Sequence, residues 1–213
     1  MAARALQVVS TLDALSDSLR RRLLEGELEP GTALGEVELA SEYGVARPTV
    51  RAAIQALVAE GLLRREPNRS ARVPELTADD VRDLFYVREA LELQVVSTLV
   101  ERQLRPPAAE EAVLRLERLP RRAPWDEVVE ADVDFHTALV EAAGSPRLER
   151  MYDTLQSEIR LCLVQLKPAY DDSAKVAAEH RELLEAIANG PKRTALRLMS
   201  EHLSMAVRYL TGE

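Results

Sequence analysis

With 213 residues, 46% of them hydrophobic and 30% charged, the chain has the make-up of a globular protein with room for two modest domains or one large one. No apolar run approaches the length of a membrane span, and residues 1–7 lack the apolar core of a signal peptide, so a cytoplasmic chain with no membrane partner is expected. The formal net charge of −8 would exclude a nucleic-acid binder if it were evenly spread, but residues 1–74 hold 10 Lys+Arg and 10 Asp+Glu while the remainder holds 18 against 26.

In chain order, Leu12, Leu15, Leu19 and Leu23 recur at helical spacing over residues 11–25, with Arg20, Arg21 and Arg22 on the other side and Gly26 as the stop. Glu29-Pro30-Gly31 reads as a turn. The next stretch, EVELASEYGVARPTVRAAIQALVAEG over residues 36–61, predicts two short amphipathic helices meeting at a sharp corner. Leu39 and Ala40 give the first its apolar face, Gly44 makes the tight turn, and Val45 plugs the corner. Pro48 opens the second helix in its first turn, where a missing N–H costs nothing. Val50, Ile54, Leu57 and Val58 bury one face, which leaves Arg47, Thr49 and Arg51 projecting from the N-terminal end, where a recognition helix presents base-reading side chains.

A helical hairpin packed in a core, with arginines on its surface, would share that pattern. The following segment argues for the DNA-binding reading. Residues 62–65 and 72–73 are extended segments around Glu66-Pro67-Asn68-Arg69-Ser70, which predicts a two-stranded wing with a basic tip. Residues 46–74 carry 6 basic side chains against 2 acidic ones, a positive footprint of the kind phosphates require. Pro74 and Glu75 mark the end of this small domain, residues 1–74.

The leading helix and the run GELEPGTALGEVELASEYGVARPTVRAAIQALVAEGLLRREPNRSARV, followed by an all-helical remainder, resemble a GntR-family transcriptional regulator. The resemblance covers roughly residues 8–74 and implies that Arg47, Thr49, Arg51 and the wing tip, Asn68 and Arg69, contact a palindromic double-stranded operator as part of a homodimer. The chain departs from the family pattern at Ala46, where Ser or Thr is usual, at Val37, where a polar or basic residue is common, and at Ser70, where the wing usually has Gly.

From Thr77 onward only helical periods appear, so the expected fold is mainly α: three helices and a small wing, then an all-helical bundle over residues 75–213. Thr77 and Asp80 form a capping arrangement for a helix that carries Val81, Leu84, Phe85, Leu91, Val95 and Leu99 and runs to about Leu104. Helices follow over residues 108–119 and 125–143, then from Ser145-Pro146 to about Leu166, from Asp172 to Asn189, and from beyond Gly190-Pro191 to about Thr211. Lys167-Pro168 interrupts the series. The only cysteine, Cys162, lies in the apolar run LCLVQL, which suits a reduced core thiol and leaves no intrachain disulfide to form.

All three histidines, His136, His180 and His202, fall on apolar helix faces in this half. One buried histidine is most often a satisfied core residue, but three facing inward from separate helices suggest a shared ion. Asp132 precedes His136 by one turn, so an Asp-His-His-His set becomes available, suited to zinc first and also to nickel, manganese or iron. The segments DVDFHTALVEAAGSPRL, AEHRELLEAIANG and MSEHL resemble the FCD-type effector domain of the FadR branch of the same family, over nearly all of residues 77–210. That resemblance implies a divalent transition metal on Asp132, His136, His180 and His202, and a small organic or sugar acid as effector. Arg88, in LFYVREALE, matches the arginine that the family directs at ligand carboxylates; an ion pair with Glu92 one turn on is the alternative. A metalloenzyme is the competing function. The Glu-x-x-His pairs of carboxylate-bridged bundles are missing, since Val133, Ala177 and Met199 stand three residues before the histidines, and no general base declares itself.

Overall fold

The computed structural model describes residues 10–165 and 172–212. The expectations for residues 1–7 and for Lys167-Pro168 lie outside the described residues. The chain divides into two compact units at the Glu75/Leu76 junction.

In the first unit, Ser10 caps helix α1 (Thr11–Leu24) by accepting the Asp13 N–H at 3.1 Å. Leu15, Leu19 and Leu23 are buried, while Leu12 is half-buried. Helix α2 (Glu36–Tyr43) ends at Gly44, whose φ of +64° is the left-handed conformation that lets the chain turn straight into α3 (Arg47–Ala59). Val50, Ala53, Ile54 and Leu57 form the buried face of α3. Ala46 stands at its N-cap and offers no side-chain cap, so the usual hydroxyl is replaced by nothing at this position. Arg20 clamps the far end of α3 through two 2.8 Å hydrogen bonds to Glu60.

The wing differs in detail from the sequence expectation. Strand β2 (Ala71–Arg72) makes its antiparallel ladder with β1 (Ala33–Leu34), a pair just ahead of α2, in the register Ala33 to Arg72 and Leu34 to Ala71. The arm at residues 62–65 adds a single bridge, in which Arg64 and Arg72 exchange N–H to carbonyl bonds of 2.8 Å. Leu34 and Ala71 face the core and Ala33 and Arg72 face outward, the two-residue period of a strand. Two residues are too few for that alternation to show in sequence.

The second unit is helical throughout its described residues. A capping box of Thr77 and Asp80 starts α4 (Ala78–Glu101), followed by α5 (Pro107–Arg118), α6 (Trp125–Ala142), α7 (Pro146–Gln165), α8 (Ser173–Asn189) and α9 (Lys192–Thr211). Helix α4 packs on α9, α5 on both α6 and α8, and α6 on α7. Phe85, Val95, Leu99, Phe135, Leu139 and Met199 belong to one continuous apolar core. Cys162 is a free thiol within it, and burial pushes its pKa up to about 12, so it stays protonated and unreactive. Into this apolar interior the sequence places four strongly polar side chains, Arg88, Glu92, His136 and His180.

A methyl group at Gly44 would meet no atom within 4 Å, so its cost is purely the left-handed backbone. Gly44→Ala should therefore destabilise the chain by about 1–2 kcal/mol, with Gly44→Asn recovering part of it, as read by urea unfolding.

Candidate nucleic-acid interface and metal centre

Arg47, at the first position of α3, and Arg51, four residues on, share one helix face. Across from them the chain reverses at Asn68, whose φ of +60° is one of the few left-handed conformations a non-glycine residue tolerates. Arg47, Arg51, Asn68 and Arg69 line a single concavity of about 450 Å³, together with Glu36, Val37 and Arg65. Thr49 is half-buried and lies outside that lining.

Glu36, the first residue of α2, was not singled out from sequence, yet it organises this face. Its carboxylate accepts Arg51 Nε at 3.2 and 3.1 Å, Arg51 Nη2 at 2.8 Å and Arg65 Nη2 at 3.3 Å. The Arg51 hydrogen bond, the largest influence, holds the Glu36 carboxyl below its ordinary pKa. The Arg51 side chain remains 53% exposed, so water screens the pair and a phosphate can take the carboxylate's place. Val37 is 55% exposed in the same concavity, an apolar side chain among charged ones.

In the helical unit, Asp132 and His136 come from α6, His180 from α8 and His202 from α9, and one ligand atom from each lies within 4.8 Å of all the others. Hydrogen bonds around the rings assign the tautomers. His136 Nδ1 is 2.5 Å from Glu92 Oε2 and His180 Nδ1 is 2.7 Å from the Val176 carbonyl; both oxygens can only accept, so both Nδ1 atoms carry the proton. Each Nε2 is then a lone pair facing the cluster. His136 Nε2 lies 3.2 Å from His202 Nε2, and His180 Nε2 lies 3.1 Å from Asp132 Oδ1. Asp132 Oδ2 and His180 Nε2 are buried without a hydrogen-bond partner. His202 Nε2 can donate to His136 Nε2, but buried polar atoms left without partners beside a convergent set of one carboxylate and three imidazoles are what a cation would satisfy, and the residue types and count fit a divalent transition metal.

Burial lowers the pKa of His136 and lowers that of His202 well below 6.5, which keeps both rings neutral and able to ligate. Burial would raise the Asp132 carboxyl, but its positive surroundings, with the Arg88 guanidinium as the fixed charge, hold it well below its ordinary value.

Glu92 is the second functional residue missed from sequence. Buried on α4, it accepts Arg88 Nε at 2.6 Å and the Tyr152 hydroxyl at 3.0 Å on Oε1, and His136 on Oε2. Burial pushes its carboxyl up, yet its neighbours His136 and Arg88 bring it down to about 2; with His136 itself neutral, Arg88 is the charge that keeps Glu92 ionised. This is the carboxylate–histidine arrangement that orients a metal ligand and raises its basicity. The Arg88–Glu92 pair posed as the alternative does form, at 2% and 1% exposure, inside the bundle and not on its surface. Arg88 Nη2 has no hydrogen-bond partner, and Arg88 is not among the residues lining the cavity beside the histidines. The signal was present in the sequence: Phe85, Arg88, Glu92, Val95 and Leu99 share one helical stripe, so both charges fall on the buried face.

Replacing Glu92 by Leu strands a buried cation and should cost about 3–5 kcal/mol in urea unfolding; the double change Arg88→Met/Glu92→Leu should recover most of it, yet weaken metal affinity roughly 10–100-fold. Because the His136 and His202 pKa values are lowered on folding from 6.5, the unfolded chain binds protons the folded one refuses below that pH. The metal-free protein should thus lose stability as pH falls from about 7 to 5.5, read as a lower melting temperature.

The gntR model of bacterial regulatory proteins matches residues 11–73, and the FCD domain model matches residues 83–205. The chain is 30% identical to the gluconate operon transcriptional repressor of Bacillus subtilis (strain 168), over 94% of this chain and 84% of that protein. It is 28% identical to the HTH-type transcriptional regulator Mce2R of Mycobacterium tuberculosis (strain CDC 1551 / Oshkosh), over 95% of this chain and 93% of that one. Its fold is similar to the crystal structure of a transcriptional regulator GntR from Rhodococcus sp. RHA1, with a TM-score of 0.83 at 27% identity, over 96% of this chain and 99% of that one. The matched domains and these relatives are those of regulators and not of enzymes, and the chain belongs to the GntR family of bacterial transcriptional regulators, with an FCD domain following its gntR region.

Proposed function

We propose that the chain is a ligand-responsive regulator in which residues 1–74 read operator DNA, while residues 75–213 dimerise the protein and carry the sensor. In this reading Arg47, Arg51, Asn68 and Arg69 meet the duplex from their shared concavity, with Thr49 beside them on α3. Two copies would read the halves of a palindrome. Asp132, His136, His180 and His202 hold a divalent transition metal, zinc foremost and nickel, manganese or iron as alternatives. The ion supplies a Lewis-acidic anchor for the carboxylate of a small acid, and the bound acid shifts operator affinity by as much as it prefers one conformation over another.

The observation that carries the sensor is the convergence of one ligand atom each from Asp132, His136, His180 and His202 within 4.8 Å of one another, with Asp132 Oδ2 and His180 Nε2 buried and without hydrogen-bond partners. Arg88 fits best as the cation that sustains Glu92 and, through it, the orientation of His136. The matched gntR and FCD domains favour a sensor over the metalloenzyme reading.

Elemental analysis after reloading should find one transition metal per chain, lost in His180→Ala; a wild-type chain that takes up none removes the sensor. Arg51→Ala should weaken binding to a selected operator about tenfold or more and reduce the slope of log affinity against log salt by about 1, with helical content unchanged. Retained affinity would show that the recognition face lies elsewhere.

A further inference from the structure

A cavity of about 60 Å³ opens beside the histidine cluster, with Asp132, His180 and His202 at its polar end. Trp125, Val128, Leu163, Val176, Ala206 and Leu210 supply apolar wall. The indole is fixed, because Trp125 Nε1 donates to the Leu163 carbonyl at 2.7 Å. The polar end is confined to the three metal-facing side chains, Asp132, His180 and His202, and the rest of the lining is mostly apolar. Among the described residues lining it there is no Lys or Arg; the remaining polar groups are Glu179 and Tyr209.

We propose that this cavity takes a short-chain monocarboxylate with a compact hydrocarbon body, and that it rejects sugar acids and dicarboxylates. The inference rests on the metal-anchored effector reading above and narrows its ligand class. Charge sets the first limit. A divalent ion held by one carboxylate and three neutral imidazoles keeps one net positive charge, which one ligand carboxylate neutralises. A second would meet Glu179, whose Oε1 is buried without a hydrogen-bond partner and whose ion-pair partner, Lys175 Nζ, is 4.0 Å away and itself 2.6 Å from the Tyr209 hydroxyl.

Polarity sets the second limit. Each hydroxyl of a six-carbon sugar acid placed against Val128, Leu163 or Leu210 would lose water without gaining a partner. A three- or four-carbon acid instead puts its only polar group at the ion and its methyl groups against the walls. The similarity to a gluconate operon repressor therefore does not extend, in this reading, to the ligand.

The test is thermal shift and titration calorimetry on the metal-loaded full chain with isobutyrate, isobutyramide, succinate and gluconate. Isobutyrate at ten times its Kd should raise the melting temperature by roughly 3–6 °C, with no shift from the other three at the same concentration. Gluconate or succinate binding as tightly as isobutyrate overturns the ligand class while leaving the effector site standing. An equal shift from isobutyramide overturns the carboxylate-on-metal anchor. If the metal loads and no acid binds, the effector reading falls together with this inference. In Glu179→Gln, succinate affinity should rise by at least about tenfold, and an unchanged affinity overturns the role of Glu179 as the group that excludes a second charge.

Discussion

The helical unit turns on one carboxylate deep in its interior. Glu92 takes hydrogen bonds from α4 itself through Arg88, from α7 through Tyr152 and from α6 through His136, so a single side chain ties three helices. An ionised group in that position is tolerable only because every one of these partners is present. Its bond to His136 Nδ1 fixes which ring nitrogen faces inward, and the Val176 carbonyl does the same for His180. The inward convergence of ring nitrogens is therefore built by atoms outside the set that would hold an ion.

The two units use charge in opposite ways. In the gntR region the arginines are exposed and paired with acids that water already screens, so their partners can change. Beside the histidine cluster of the FCD domain, the Arg88–Glu92 pair is enclosed and its partners are fixed by packing. The first arrangement suits a surface that must let go of one anion to take another. The second suits a site whose geometry has to survive the arrival of a ligand.

Most of the fold could be read from the sequence because long periodic stripes, paired with caps such as Thr77-Asp80 and stops such as Gly44 and Gly144, leave little ambiguity about helices. The pairing of β1 with β2 could not, since a two-residue strand has no period. Asp132, His136, His180 and His202 were legible as a set because histidine is rare here and each one falls on an apolar face. Glu36 and Glu179 were not, because glutamate is common and nothing local separates a buried acid from a solvated one until tertiary contacts are known; Glu92 was read only as the partner of Arg88, although its place on the apolar stripe of α4 marks it as buried. The direction of Arg88 was obscured for a related reason: the resemblance implied a ligand, while its partner lay one turn away on the same helix.

The Glu36 clamp has a kinetic side. Off its target, Arg51 carries its own counterion within the chain, so the protein meets bulk polyanions with part of its positive charge already neutralised. If Arg51 meets a phosphate as proposed, exchanging the tethered carboxylate for it liberates fewer salt ions than a bare guanidinium would, on matched and unmatched duplex alike. In that reading a built-in acid of this kind shortens every stay on duplex, which speeds the search from one stretch to the next.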